Sequence, residues 1–292
     1  MHFDGPTFRP PTENFTPLLQ VTVGCSYNKC AFCSMYRCTQ FHMSPEEEII
    51  EDLKELAAKN DKVNRVFLLN GDPFVLSADK LLHISKLIHK YLPNMCTITC
   101  YCSFVDLRNK SIDDLSALRE AGYNDLYIGI ETGYEPALKF ISKGYTIAEA
   151  EETLARLERA GIRYNALLMG GIAGKGKSRE NALESARLVN RFKPGIISWI
   201  STSVTDGTPL AEMRDRGEYI ELTEREQLEE EIMFLEALDM DDECFYFGSH
   251  PMNLIPISEY FSKKDEIIEY IKNEAAEFED EFLDSVWDRG AM

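Results

Sequence analysis

Three thiols fall within nine residues in Gly24-Cys25-Ser26-Tyr27-Asn28-Lys29-Cys30-Ala31-Phe32-Cys33, at the spacing Cys-x4-Cys-x2-Cys. Thiolates are soft ligands, and three this close together suit a soft metal centre. A structural zinc ion needs a fourth ligand. Cys38 can supply one, extending the pattern to Cys-x4-Cys-x2-Cys-x4-Cys, so a zinc ion or fully ligated cluster competes with a three-cysteine site. An iron–sulfur cluster held by only three thiolates leaves one iron open to a small molecule, and an open iron can do chemistry. Downstream, Leu69-Asn70-Gly71-Asp72-Pro73, Gly129-Ile130-Glu131-Thr132-Gly133 and Ala166-Leu167-Leu168-Met169-Gly170-Gly171 each bring glycine to the end of an apolar run. Alone, the first is an ordinary turn and the acid of the second reads equally as a helix cap. In the third, the missing Cβ permits close approach of a ligand. Gly170–Lys177 lacks the spacing of a phosphate-binding loop. His250, in Ser249-His250-Pro251-Met252-Asn253, is a candidate acid or base on the substrate side, though a lone histidine is more often structural. Cys96, Cys100 and Cys102 share one strand parity. Cys96 and Cys102 would still lie about 20 Å apart along a strand, so these thiols read as core or barrel-lining residues rather than a second cluster.

The elements that must position these residues alternate from end to end, in units of about 30 residues. Candidate strands are Leu18–Val23, Arg65–Leu69, Cys96–Ser103, Asp125–Ile130, Tyr164–Met169 and Ile196–Thr202. Between them the helical patterns are Pro45–Lys59, Ala78–Tyr91, Ser111–Ala121, Ile147–Ala160 and Ser178–Phe192, with Gly122 and Gly161 as stop signals and Pro93 and Pro194 just beyond two others. A right-handed βα series of six strands gives an open partial barrel or a doubly wound sheet, and both gather ligands at the C-terminal ends of their strands. The organisation expected is a lead-in over 1–15, a six-stranded α/β core over 16–217 and a mainly helical acidic extension over 218–292. That extension carries helices Glu224–Leu238 and Lys263–Leu283 around a short strand Cys244–Phe247, packed on the core with its acidic faces solvated.

With 292 residues, 44% apolar and 28% charged, the chain has the composition of a folded domain. At this length it buries roughly 75% of its unfolded surface and has no need of disulfides. No run approaches the ~18 apolar residues of a membrane span, and the opening Met1-His2-Phe3-Asp4-Gly5-Pro6 has no leader pattern, so a reducing, cytoplasmic setting is expected. The net charge of −19 is uneven: residues 218–292 carry 23 acidic against 5 basic residues, while 1–217 are near balance at 27 and 26. Nucleic-acid binding through counterion release needs clustered basic side chains, so nucleic-acid partners are disfavoured.

The cysteine loop after the first strand resembles the signature of the radical S-adenosylmethionine (SAM) superfamily, Cys-x3-Cys-x-aromatic-Cys, with Phe32 as the aromatic. Arg9-Pro10-Pro11, Leu18-Leu19-Gln20-Val21-Thr22, Gly24–Tyr36 and Val66–Asp72 are similar to an uncharacterised subgroup of HemN/Elp3-type members, in which the x4 spacing is usual. The resemblance runs almost the full length. It implies a (β/α)6 partial TIM-like barrel and a [4Fe–4S] cluster on Cys25, Cys30 and Cys33. S-adenosylmethionine would chelate the open iron, and its reductive cleavage would give a 5′-deoxyadenosyl radical that abstracts hydrogen from substrate. It further implies cofactor contacts from Phe32, from Asn70, Gly71 and Asp72, from Glu131 and from Gly170. Ala155 stands where relatives carry the arginine for the SAM carboxylate, leaving Arg156 or Arg163 to substitute. A flavodoxin or ferredoxin electron donor is implied as well. A coproporphyrinogen-type oxidase would need a larger second domain, and a tRNA-modifying enzyme a basic patch; neither is visible.

Overall fold

The computed structural model describes residues 1–59 and 62–289. The fold is mixed α/β with mostly parallel strands, as the alternating pattern predicts. It divides into two compact units: Met1–Asn28, Met35–Gly129 and Glu152–Tyr164 form the first, and Lys29–Ser34, Ile130–Glu151 and the chain from Asn165 onward form the second.

The first unit carries β1 (Leu18–Leu19), β2 (Thr22–Val23), β3 (His42–Met43), β4 (Arg65–Leu68), β5 (Thr97–Cys102) and most of β6 (Asp125–Glu131). β4 lies parallel between β1 and β5, with Phe67 opposite Leu18 and Thr99, and β5 pairs parallel with β6. Val66, Phe67 and Leu68 are fully buried, as expected of a parallel strand covered on both faces. The helix Ala78–Tyr91 starts at a Ser77 cap and buries Leu81, Ile84, Ser85 and Ile88, the i, i+3, i+4, i+7 stripe of an amphipathic helix. Ile112–Glu120 starts at a reciprocal Ser111–Asp114 capping box. The single strand expected over Leu18–Val23 is broken in two. β1 stops at Leu19, whose carbonyl accepts from Leu69, and β2 turns away to pair antiparallel with β3. Asn70 holds the break: its amide donates to the Thr22 carbonyl at 2.6 Å and to Gln20 Oε1 at 3.3 Å.

In the second unit, β7 (Arg163–Gly170, beginning in the first unit) pairs parallel with β8 (Ile196–Ser201), Asn165 beside Ile196 through Gly170 beside Ser201. β8 pairs parallel with β9 (Phe245–Phe247), which pairs antiparallel with β10 (Ser258–Tyr260). The helix Ser178–Phe192 buries small residues, Ala182, Ser185 and Ala186, and packs on the helix Glu224–Ala237.

Two expectations about the acidic extension are corrected. The helix expected over Lys263–Leu283 is two pieces, Lys264–Ala275 and Asp280–Leu283. Glu274, Glu277 and Glu281 lie three and four residues apart at the break, where like charges oppose a continuous helix. The acids of Glu224–Ala237 are also not all solvated: Glu224, Glu230 and Glu231 are buried. Each has a partner suited to it. Arg289 clamps Glu224, Asn181 and the Gly171 N–H donate to Glu230, and the Tyr246 hydroxyl donates to Glu231.

Candidate functional site

The expected site residues fall into two groups, one in each unit. In the first, the C-terminal end of β4 is built against the start of the cysteine loop. Both Asp72 carboxylate oxygens accept from the Ser26 N–H, at 2.9 and 3.0 Å, and one also accepts from the Ser26 hydroxyl. Burial raises the Asp72 pKa, and these hydrogen bonds partly offset the rise. Gly71 donates its N–H to the Gly24 carbonyl at 3.0 Å. A Cβ on Gly71 would stand 2.6 Å from the Cys25 Cβ, so the absent side chain is what lets the strand end meet the cysteine. Asn70 takes up a left-handed φ of +80°, and its oxygen accepts from the Tyr36 hydroxyl. Gly71 and Asp72 thus also fix the loop on either side of Cys25, while Asn70 ties the strand end to Thr22, Gln20 and Tyr36. Cys25 Sγ accepts from the Asn28 N–H at 3.4 Å.

The second group holds the rest of the loop and the end of β6. The Ala31 N–H donates to the Ile141 carbonyl at 2.8 Å, the Ala31 carbonyl accepts from Leu210, and the Cys33 N–H donates to the Cys30 carbonyl. Phe32 packs on an apolar cluster of Ala31, Ile141, Ile172, Leu210 and Tyr219. Glu131 closes β6 with φ +62° and is buried, and Lys143, equally buried, donates to its Oε1 at 2.5 Å. The ammonium lies 5.9 Å from the Phe32 ring centroid. Burial raises the Cys30 thiol pKa, against which the Lys143 charge pulls it down. Burial also opposes the Lys143 charge, but Glu131 and Cys30 outweigh it and hold the ammonium above its ordinary pKa. Lys143 is a residue the motifs did not single out. A lone lysine has no spacing signal, and only the fold puts it beside Glu131.

Other candidates lie elsewhere in their units. Gly170 ends β7 against Trp199, while Arg163 opens the same strand and is exposed. Seven residue steps separate them, about 23 Å along a strand. Arg156 spends its guanidinium on the carbonyls of Lys110 and Leu107. Burial lowers the His250 pKa, and its Nδ1 accepts from the Met252 N–H. The neighbouring Asn253 ties the β8 end to Gly248 through Ser201 and Trp199. Cys100 and Cys102 are buried, whereas Cys96 precedes β5 and is exposed, so it does not join their face as expected.

None of the eight cysteines is joined in a disulfide. Among the described residues no group of three or more His, Cys, Asp and Glu side chains stands ready-formed around a metal. The fit to a cluster is one of donor chemistry: three thiols in one short loop, pinned at Ser26 by Asp72 and at Ala31 by Ile141, with a buried ammonium beside Cys30. Among the described residues no helix is long and apolar enough to cross a membrane.

The chain resembles known proteins over this same region. It is 24% identical over 199 residues to the heme chaperone HemW of Buchnera aphidicola (subspecies Schizaphis graminum), covering 65% of this chain and 52% of the relative. The chain thus spans about half the length of the curated relatives it matches. Among solved structures, the cobalamin-dependent S-adenosylmethionine radical enzyme OxsB, with aqua-cobalamin and S-adenosylmethionine bound, superposes with a TM-score of 0.59 at 14% identity, over 78% of this chain and 44% of that one. Elp3 of Methanocaldococcus infernus superposes with a TM-score of 0.53 at 13% identity, over 89% and 64%. These likenesses establish the partial TIM-like barrel fold. The model of the radical SAM superfamily matches residues 19–189, more than half of the chain, from within β1 to within the helix Ser178–Phe192. The chain therefore belongs to the radical SAM superfamily, whose enzymes use a [4Fe–4S] cluster and S-adenosylmethionine.

Proposed function

We propose that this chain cleaves S-adenosylmethionine reductively and uses the resulting radical to abstract hydrogen from a small-molecule or protein substrate. The observation that carries the reading is the loop of Cys25, Cys30 and Cys33 inside the matched region. When bound, the cluster supplies the electron that breaks S-adenosylmethionine into methionine and a 5′-deoxyadenosyl radical. The chain's own residues hold and shield it. Cys25, Cys30 and Cys33 are its ligands, Asp72 and Gly71 fix Cys25, and Phe32 and its apolar neighbours keep water from the loop. On this reading Asn70, Gly71, Asp72, Glu131 and Gly170 also touch S-adenosylmethionine and His250 is a substrate-side acid or base, whereas Arg163, exposed at the far end of β7 from Gly170, is left out of the set. A flavodoxin or ferredoxin of the cytoplasm is the proposed electron source. The acidic balance of the chain disfavours a nucleic-acid substrate.

Anaerobic reconstitution tests this. About four irons per chain are expected, from the usual cluster type, and dithionite-reduced protein should yield 5′-deoxyadenosine and methionine. Cys25→Ala, Cys30→Ala and Cys33→Ala should each abolish the cluster, whereas Cys38→Ala should keep it. Loss of iron in Cys38→Ala would replace this reading with a fully ligated metal-binding protein, and a normal cluster in any of the other three would refute the three-cysteine site.

A further inference from the structure

Among the buried charges of the second unit, the pair of Lys143 and Glu131 has no packing reason to be ionic. Both side chains are about nine-tenths buried, and taking two charges out of water costs several kcal/mol per ion before their attraction is counted. An apolar pair of the same volume would fill the space at less cost. The pair instead stands beside the cysteine loop. Glu131 and Lys143 both act electrostatically on Cys30, and Lys143 lies over the Phe32 ring two residues further on. The backbone is committed there too, since Glu131 holds a left-handed φ that costs a side-chain-bearing residue free energy and collects at functional sites. Ser142 and Gly144 on either side of Lys143 also have positive φ, +56° and +82°, so the turn presenting the lysine is itself specified.

A carboxylate near a thiolate loop is unfavourable alone. It repels the ligands as they ionise, and it repels the additional negative charge when a cluster they hold is reduced. We propose that Lys143 is a positioning residue for the cluster loop: it clamps the Glu131 carboxylate in place at the end of β6 and cancels its charge beside Cys30 and the Phe32 ring. The inference rests on the cluster reading above and adds the residue that makes an acid tolerable next to it. Groups behind metal ligands typically change metal affinity 10–100-fold when removed.

The experiment uses the reconstituted protein and reads the cluster rather than turnover. Lys143→Met should still bind about four irons, lose them to a chelator roughly tenfold or more faster than the parent, and show a more negative midpoint potential in an EPR-monitored titration. Lys143→Arg, which keeps the charge, should restore the potential. If Lys143→Met is insoluble, Glu131→Gln/Lys143→Met removes both charges together and should bring chelator resistance back towards the parent's. Parent-like iron loss and potential in a cluster-replete Lys143→Met protein would overturn the role of Lys143 and leave the cluster reading standing. Absence of a cluster in the parent would overturn both.

Discussion

A methyl group added at Gly170 would lie 2.8 Å from Cζ2 of Trp199 and 2.9 Å from its Nε1. The indole cannot retreat easily, because it is buried and stacked on Phe234 with ring centroids 4.5 Å apart. The glycine at the end of β7 is thus required by packing, whatever else approaches it. Overfilling a close-packed site typically costs about 1–3 kcal/mol, so Gly170→Ala should lose stability of that size in urea unfolding. Trp199→Phe, which removes the clashing atoms, should return part of it in the double variant. If Gly170→Ala unfolds at the parent's midpoint and is impaired only in S-adenosylmethionine binding, the packing account is wrong and close cofactor approach is the whole reason for the glycine. Gly71 answers to the same logic with a different neighbour, Cys25. A motif glycine in this chain can therefore serve the protein's own packing as well as a ligand.

The helix Glu224–Ala237 brings two adjacent carboxyls, Glu230 and Glu231, into the interior, where burial raises each pKa from 4.5 to about 7 despite hydrogen bonds that work the other way. The folded state therefore holds protons that the unfolded chain has released. By linkage the stability these groups contribute is fully present below pH 4.5 and is lost as pH rises to about 7, by up to about 3 kcal/mol per carboxyl. Urea midpoints should accordingly fall between pH 5 and 7.5, and Glu231→Gln should flatten the fall; a parent profile that is flat over that window would refute the assignment. This helix also shows where the sequence could be read and where it could not. Its existence was legible, and its start is the Thr223–Glu226 capping box. Its buried face was not, because an acid-rich run looks solvated until Asn181, Gly171 and Tyr246 are known to meet it. In the same way the six core strands were legible to within a residue or two at most ends, while the break between β1 and β2 depends on Asn70, about 50 positions away. At the candidate site the thiol spacing was visible at once. Lys143 was not, for the pairing with Glu131 exists only after the turn around it has formed.

Across the whole molecule the charge of −19 sets how partners arrive. Proteins of like charge repel at long range, and salt screens that repulsion with a Debye length of about 10 Å at 0.1 M. Reduction of the cluster by an acidic carrier such as a flavodoxin should therefore speed up as salt rises from about 20 to 200 mM. Stopped-flow rates falling over that range would instead reveal a local basic docking patch. The acid-rich last quarter has a second, quite separate consequence, which follows from the pairing of β8 with β9. Without that partner, Ile196, Ile197 and Ser198 would present an open row of backbone donors and acceptors, a template on which another copy of the chain could add a strand. β9 takes that position, and β10 then ends the row with three residues, one of them Glu259 paired to Lys263. The sheet thus finishes on this side in a short, charged margin, the kind of edge that disfavours strand addition by another copy, rather than on the open edge of β8.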